Sequence, residues 1–485
     1  MPTPSINTFS SIHHSRYNTD MSEKICTDPK NRPVDQGATP TSFVSLFILF
    51  TITLSPWTLA YWPGVFTQDS FRSWEQLQNG EFSNLHPYIY TLYLGVFRSL
   101  FGTPGAVLTF QLLSSAALGA FFFSLALRHN LYRPIVWLAI AFFALSPAVG
   151  IMSTTIWKDV PFSLLVVFWA LLALAGDRQG WRIKNLWALF GLSLLLGFTG
   201  QVRHNGVVLI PLVPLALWWS RVLTGRHAAL LGTTAVILCL LVRGPIASAL
   251  KVNMDITVPR RGQYLQFMGA LLADSNTNLD VLSANERKVV EDILPLQMVR
   301  EQFSCVDGNE WVHDVNVTGA PLANEPAYAL FMSAFKKLAW SNPRALLAER
   351  LCYLRSVLFS RGFIFTSEME SDDEWTVGVR NALGLKSTPL SDTLHGYLGA
   401  FVWQSVSTPL RLLVWNLWLP FLVLCAALWK GVRGDHGMLS ASILVLIQLP
   451  CFVAVALAPD WRYFYSMHLS MYFLIPYLFQ AVPKS

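Results

Sequence analysis

Runs of apolar residues close to the ~20 needed to cross a lipid bilayer recur along the whole chain, and this feature narrows the fold more than any other. Hydrocarbon holds no water to pair backbone N–H and C=O groups, so each run must close its own hydrogen bonds as helix. The runs fall at Thr41–Trp62 and near 105–127, 134–153, 160–176, 186–200, 207–221, 228–243, 411–429, 438–458 and 464–481. About ten crossings are therefore expected. Charged residues make up 13% of the 485, against ~25% in soluble proteins, and the mean hydropathy is +0.43. A string of soluble domains is excluded.

The intervals between the runs are as informative. Residues 1–40 are rich in Ser, Thr, Asn and Pro, too polar for a signal peptide, and read as a disordered tail. Pro87–Phe101 is apolar but short, which suits a helix lying along the membrane interface. Gly244–Leu410 has soluble composition and is too long for a connector, so it is expected to form a largely helical domain between spans 7 and 8. Within it, Leu322–Phe359 favours helix, with Lys336, Lys337, Arg344, Arg350 and Arg355 spaced for packing on the membrane surface. The acidic run at Glu368, Glu370, Asp372, Asp373 and Glu374 reads as a solvated loop, and Asn316-Val-Thr is a glycosylation sequon by letter only.

Basic residues orient the runs. Arg128/Arg133, Arg178/Arg182/Lys184, Arg221/Arg226 and Lys430/Arg433 occupy one set of short connections, and Lys24, Lys30 and Arg32 precede the first run. The alternate connections hold a single Lys158, a single Arg203 and a single Arg462. The positive-inside bias then puts both termini in the cytoplasm and the long stretch outside. The net charge of +6 is accounted for in this way, without nucleic acid as a partner.

On the expected outer face the few charges come in compact clusters: TQDS with Gln68 and Asp69, WKD with Lys158 and Asp159, QVRHNG with Arg203, His204 and Asn205, and PDWRY with Asp460, Arg462 and Tyr463. Ionisable groups at span ends are costly to desolvate and tend to be there for a partner. Each has a plainer reading beside that one. Asp69 is a good N-cap for a helix over Ser70–Gln78. Lys158 and Asp159 make a local ion pair, His204 and Asn205 satisfy one another, and His86 before Pro87 is a turn residue.

The order of these features resembles the GT-C superfamily of polyprenyl-phosphate-sugar glycosyltransferases, which includes protein O-mannosyltransferases and lipid A aminoarabinose transferases. The shared features are a first span, then Trp62-Pro63-Gly64 leading to Asp69, then His86-Pro87-Tyr88 and a short helix ending in Phe101-Gly102. The stretches VPRRGQYLQ, LSANERKVVEDILP and PAYALFMSAFKKLAWSNPRALLAERLCYL are similar to an uncharacterised bacterial branch of that superfamily. The resemblance implies an all-α polytopic membrane protein of GT-C-like fold in the bacterial cytoplasmic membrane. It implies inverting transfer of a sugar from a polyprenyl-phosphate donor to a glycan, lipid or protein acceptor.

That chemistry needs a carboxylate to take the acceptor's proton and cations to meet the charge on the departing phosphate. Asp69 is the candidate base. Lys158, Arg203 and Arg462 are candidate phosphate ligands, with Arg260 and Arg261 behind them. Gln68, His86, Asp159, His204, Asn205 and Tyr463 are candidates for sugar or acceptor contacts. No cofactor is expected. Relatives with paired acids in the first loop bind a divalent metal in some cases, but here Ser70 follows Asp69 and the next acid is Glu75, which disfavours a metal. A glycan ligase or oligosaccharyltransferase would share the same site, and a flippase of lipid-linked sugar is the reading from another class. Internal repeats, which a transporter would be expected to carry, are not evident. Cys239, Cys425 and Cys451 lie in apolar runs and Cys26 in the tail, which leaves Cys305 and Cys352 as a candidate disulfide.

Overall fold

The first apolar run becomes a helix for the reason given above, and its start is set locally: Ser42 Oγ accepts from Ser45 N at 3.1 Å, capping α1 (Phe43–Ala60). In the computed structural model, residues 42–129, 131–254, 257–306, 325–359, 374–456 and 459–480 are described. The expected tail at 1–40, Asn316 and the acidic run from Glu368 to Asp373 lie outside them.

Helices follow in order: α2 (Gln68–Asn79), α3 (Tyr88–Phe101), α4 (Gly105–Arg128), α5 (Arg133–Leu145), α6 (Pro147–Thr154), α7 (Asp159–Gln179), α8 (Leu186–Val202), α9 (Leu209–Trp219) and α10 (Gly225–Leu241). A π-turn at Val242–Ile246 carries α10 on into α11 (Ala247–Ala249). The long stretch then supplies α12 (Thr257–Ala273), α13 (Ala284–Ile293), α14 (Leu296–Gln302), α15 (Glu325–Ser341), α16 (Pro343–Phe359), α17 (Glu374–Ala382) and α18 (Asp392–Ser407). The chain closes with α19 (Arg411–Val414), α20 (Trp418–Val432), α21 (His436–Leu446), α22 (Gln448–Val455) and α23 (Tyr465–Leu478). Among the described residues there is no β-strand, only isolated bridges at Val65–Thr155 and Ser83–Asn253.

Six helical segments are long and apolar enough to cross a membrane, or seven if α5 and α6 count as one span bent by 45°. The chain is an α-helical multi-pass membrane protein. The bend has a local cause, since Pro147 has no N–H to donate and Ser146 caps α6 by accepting from Val149 N at 3.2 Å. Three of the ten expected spans fall on shorter helices, α8 with 17 residues, α9 with 11 and α23 with 14. The expected span 228–243 runs on to Ala249, because IASAL continues the apolar run past Gly244.

In the bundle α1 packs along α4, α7 against α21, α20 against α21 and α23, and α8 against α10. The α20–α21 approach requires Gly431, where a Cβ would fall 2.5 Å from the Leu439 backbone. The most buried of the crossing helices is α7, so its two ends are the fixed points of the molecule. The long stretch has a core of its own, with Leu265, Met268, Leu271, Val290, Ile293, Phe331 and Leu338. It is not detached from the bundle: Tyr353 and Val357 of α16 and Val402 and Val406 of α18 belong to the bundle core, and α18 packs along α1.

Candidate functional site

The site is built on the strap that precedes α7. Val65 N donates to Thr154 O at 3.0 Å, Ile156 N to Val65 O at 2.9 Å, and Ser70 Oγ to Ile156 O at 2.6 Å. Trp157 Nε1 donates to Thr67 Oγ1. These bonds fix residues 65–70 against 154–157 and set Asp69 opposite Lys158. Capping of α2 is done by Thr67 and Ser70, with Thr67 N donating to Ser70 Oγ at 3.3 Å. The expectation that Asp69 caps a helix starting at Ser70 is thereby corrected. The helix starts at Gln68 and leaves the Asp69 carboxylate for other partners.

Those partners come from three other connections. Lys158 Nζ donates to Asp69 Oδ2 at 2.8 Å, Arg462 lies 3.6 Å from the same oxygen, and His86 Nε2 lies 3.5 Å from Oδ1. Lys158 Nζ is also 3.1 Å from His86 Nδ1. An ammonium group only donates, so Nδ1 accepts and the ring proton sits on Nε2, facing the carboxylate. Burial, reinforced by Lys158, pushes the His86 imidazole down to about 3 and keeps it neutral. His86 is thus more than a turn residue.

A second layer holds these groups in place. Asp159, fully buried, pairs with Arg203, so Lys158 and Asp159 do not pair locally but reach to separate parts of the chain. Arg462 Nε lies 2.6 Å from Asp460 Oδ2, and Asp460 Oδ1 accepts from Arg462 N at 3.0 Å. Arg203 lies over the Tyr463 ring at 4.8 Å and over Phe452 at 4.6 Å. Arg462 lies over Trp157 at 4.5 Å and Tyr463 at 5.3 Å, so both guanidiniums share Tyr463. His204 and Asn205 do not satisfy one another. His204 Nε2 is 3.3 Å from Leu85 O, and Asn205 Nδ2 donates to Gln448 Oε1 at 2.7 Å.

The electrostatics follow from this geometry. Burial raises the Asp69 carboxyl, but Lys158, His86 and Arg462 together outweigh burial and hold it well below the usual carboxylate range. Burial likewise pushes Asp460 up despite Arg462. The cluster is not sealed: side-chain exposures are 23% for Asp69, 12% for Lys158, 17% for His86 and 14% for Arg462. A partly open carboxylate shared by two cations is suited to receive an anionic ligand, which would compete for the cations. Among the described residues no three His, Cys, Asp or Glu side chains lie close enough together to hold a metal ion.

Asp69, Lys158, Arg203 and Arg462 therefore converge, together with His86, Asp159 and Tyr463. Gln68 is exposed at the start of α2. Arg260 and Arg261 fall in α12, and their side chains lie outside the described residues. Sequence reasoning missed Arg243. It donates through Nε to Gln201 Oε1 at 3.2 Å, one residue after Val242, whose carbonyl accepts from Tyr88 OH at 2.5 Å. Arg243 and Gln201 stand at one end of an apolar groove of about 1000 Å³ along α9 and α10, and Trp218 and Gly225 line the other end. His204 stands near Arg243, Arg203 and Lys158 and feels their charges. Burial first, then the charges of Lys158, Arg243 and Arg203, lower its basicity against the Leu85 carbonyl. A lone Arg inside an apolar run was the available signal.

No family model, curated protein or solved structure matches this chain.

Proposed function

We propose that the protein is a membrane glycosyltransferase that moves a sugar from a polyprenyl-phosphate donor to an acceptor hydroxyl on the outer side of the cytoplasmic membrane. The observation that carries the reading is the carboxylate of Asp69, held between Lys158 at 2.8 Å and Arg462 at 3.6 Å in a partly open site. The donor phosphate meets Lys158 and Arg462, Arg243 stands where the lipid chain leaves the head group, and the apolar groove along α9 and α10 takes the chain itself. Orientation follows from the paired and single basic residues in alternate connections.

The same ion pairs suggest how the base is switched on. With both cations against it, Asp69 is a weak base. A phosphate that draws Lys158 and Arg462 toward itself relieves Asp69 and raises its basicity, so the acid is ready only when donor is bound. The acceptor oxygen then attacks the anomeric carbon from the face opposite the phosphate. Its proton passes to Asp69, the bond from the anomeric carbon to the phosphate oxygen breaks, and the lipid phosphate leaves with the electron pair against Lys158 and Arg462. Inversion at the anomeric carbon follows.

The test is to incubate the purified protein in bilayers with a panel of radiolabelled polyprenyl-phosphate sugars and to analyse products by mass. One donor yielding a glycosylated acceptor and free lipid phosphate is the expected result. Labelled donor that crosses the bilayer with no glycosylated product would establish a flippase instead.

A further inference from the structure

Helix α16 touches both cores, and the residue between them is Arg350. The sequence pattern suits it to the membrane surface, but its side chain turns inward. One guanidinium nitrogen, NH1, donates to Val453 O and Ala456 O, both at 2.9 Å. The other two, Nε and NH2, pair with the two oxygens of Glu349. The group lies 4.7 Å from the Phe267 ring and 5.0 Å from the Tyr353 ring. The two carbonyls stand at the C-terminus of α22, where the last turn has no helical N–H to meet it and a cation is favoured.

The connection continues on both sides. Glu349 is buried and accepts from Gln266 Nε2 at 3.2 Å, and the same nitrogen lies 3.3 Å from Ser304 O. Ser304 adjoins Cys305, which is disulfide-bonded to Cys352, two residues past Arg350. On the other side, Asp460 lies four residues beyond Ala456, and Arg462 follows.

We propose that Arg350 is a positioning residue through which the long-stretch domain sets the place of the Asp460–Arg462 loop and hence of Arg462 against Asp69. Lysine cannot replace it, because a single ammonium has no fork to hold Glu349 and two carbonyls together. The tie itself is independent of the reaction, and only its effect on donor affinity rests on the glycosyltransferase reading.

The experiment uses the full chain in bilayers, as wild type, Arg350→Lys and Arg350→Gln, with hydrogen exchange as the first readout. Both variants should speed exchange of amides in 453–464 by about tenfold or more, while 284–302 changes by less than about twofold. Unchanged exchange at 453–464, or equal change in both segments, overturns the proposal. If Arg350→Gln fails to insert, reduction of the Cys305–Cys352 bond in the wild-type protein reads the same tie. Faster exchange at 453–464 is then expected, and no change there counts against the tie. With a donor identified, Arg350→Lys should raise KM severalfold and lower kcat as well, because Arg462 meets the phosphate both in the bound donor and as it leaves. An unchanged KM alongside altered exchange would mean the tie holds the loop without serving the donor site.

Discussion

Helix α7 meets buried charge at both of its ends, about 30 Å apart by helical rise, and the two arrangements differ in kind. At the Arg178 end the partners close on one another. Arg178 pairs with Asp435, at 4% and 0% exposure, and Asp435 also caps α21 by accepting from Met438 N at 3.1 Å. Asp177 accepts from Gly437 N at 3.1 Å, and Lys430 donates to the carbonyls of Tyr477 and Gln480. Asp177, Asp435 and Lys430 each complete a helix end, Arg178 neutralises Asp435, and the assembly works as a latch between α7, α20, α21 and α23. At the Asp69 end the carboxylate caps nothing, two cations share it, and the group is 23% exposed. A buried ion pair is therefore no mark of function. The mark is a charge whose local structural job is already done by other residues.

The sharpest way to break this contrast is to neutralise each end in turn. Asp69→Asn keeps the shape and removes the proton acceptor, so turnover should fall by roughly 10²–10⁴-fold, while donor affinity in equilibrium binding is kept or tightened because the two cations are freed. At the latch, Arg178→Met leaves Asp435 buried without its cation. A loss of about 3–5 kcal/mol is expected in thermal or denaturant unfolding, with donor KM per folded molecule unchanged.

Arg462→Gln sharpens the contrast from within the Asp69 end. It should weaken donor binding by roughly 10–100-fold, the scale of one charge-assisted bond to phosphate, while unfolding shifts less than in Arg178→Met.

The Asp69 end also adds a pH dependence of its own through His86. The folded His86 lies near 3 against an ordinary 6.5, so between those values the unfolded chain binds the proton and the folded one does not. Stability is then fully present above 6.5 and declines as pH falls toward 3, with a slope of at most about one proton. His86→Gln should lose less stability than wild type across that window and keep a constant offset above it. Parallel curves for the two proteins would show that His86 titrates normally.

Much of this was legible in the sequence. Apolar run lengths located the helices, and the polar clusters at one set of run ends named the residues that converge. Pairing was not legible. Lys158 and Asp159 are neighbours in the chain but point to Asp69 and Arg203, because the strap at residues 154–157 turns successive side chains to different sides. Arg350 was read as a surface residue because helical spacing gives a face and not what lies against it. The bend between α5 and α6 was not legible either, because periodicity does not show that Pro147 and its Ser146 cap break an otherwise continuous apolar run.

The most direct test takes wild type, Asp69→Asn and Asp435→Asn in bilayers, preloads each with labelled polyprenyl-phosphate sugar and follows a single turnover on addition of acceptor. Corrected for the folded fraction, Asp435→Asn should transfer at close to the wild-type rate, and Asp69→Asn should bind donor but transfer it roughly 10²–10⁴-fold more slowly. Transfer by Asp69→Asn at the wild-type rate would contradict the assignment of the base and send the search to Asp159 or Glu75.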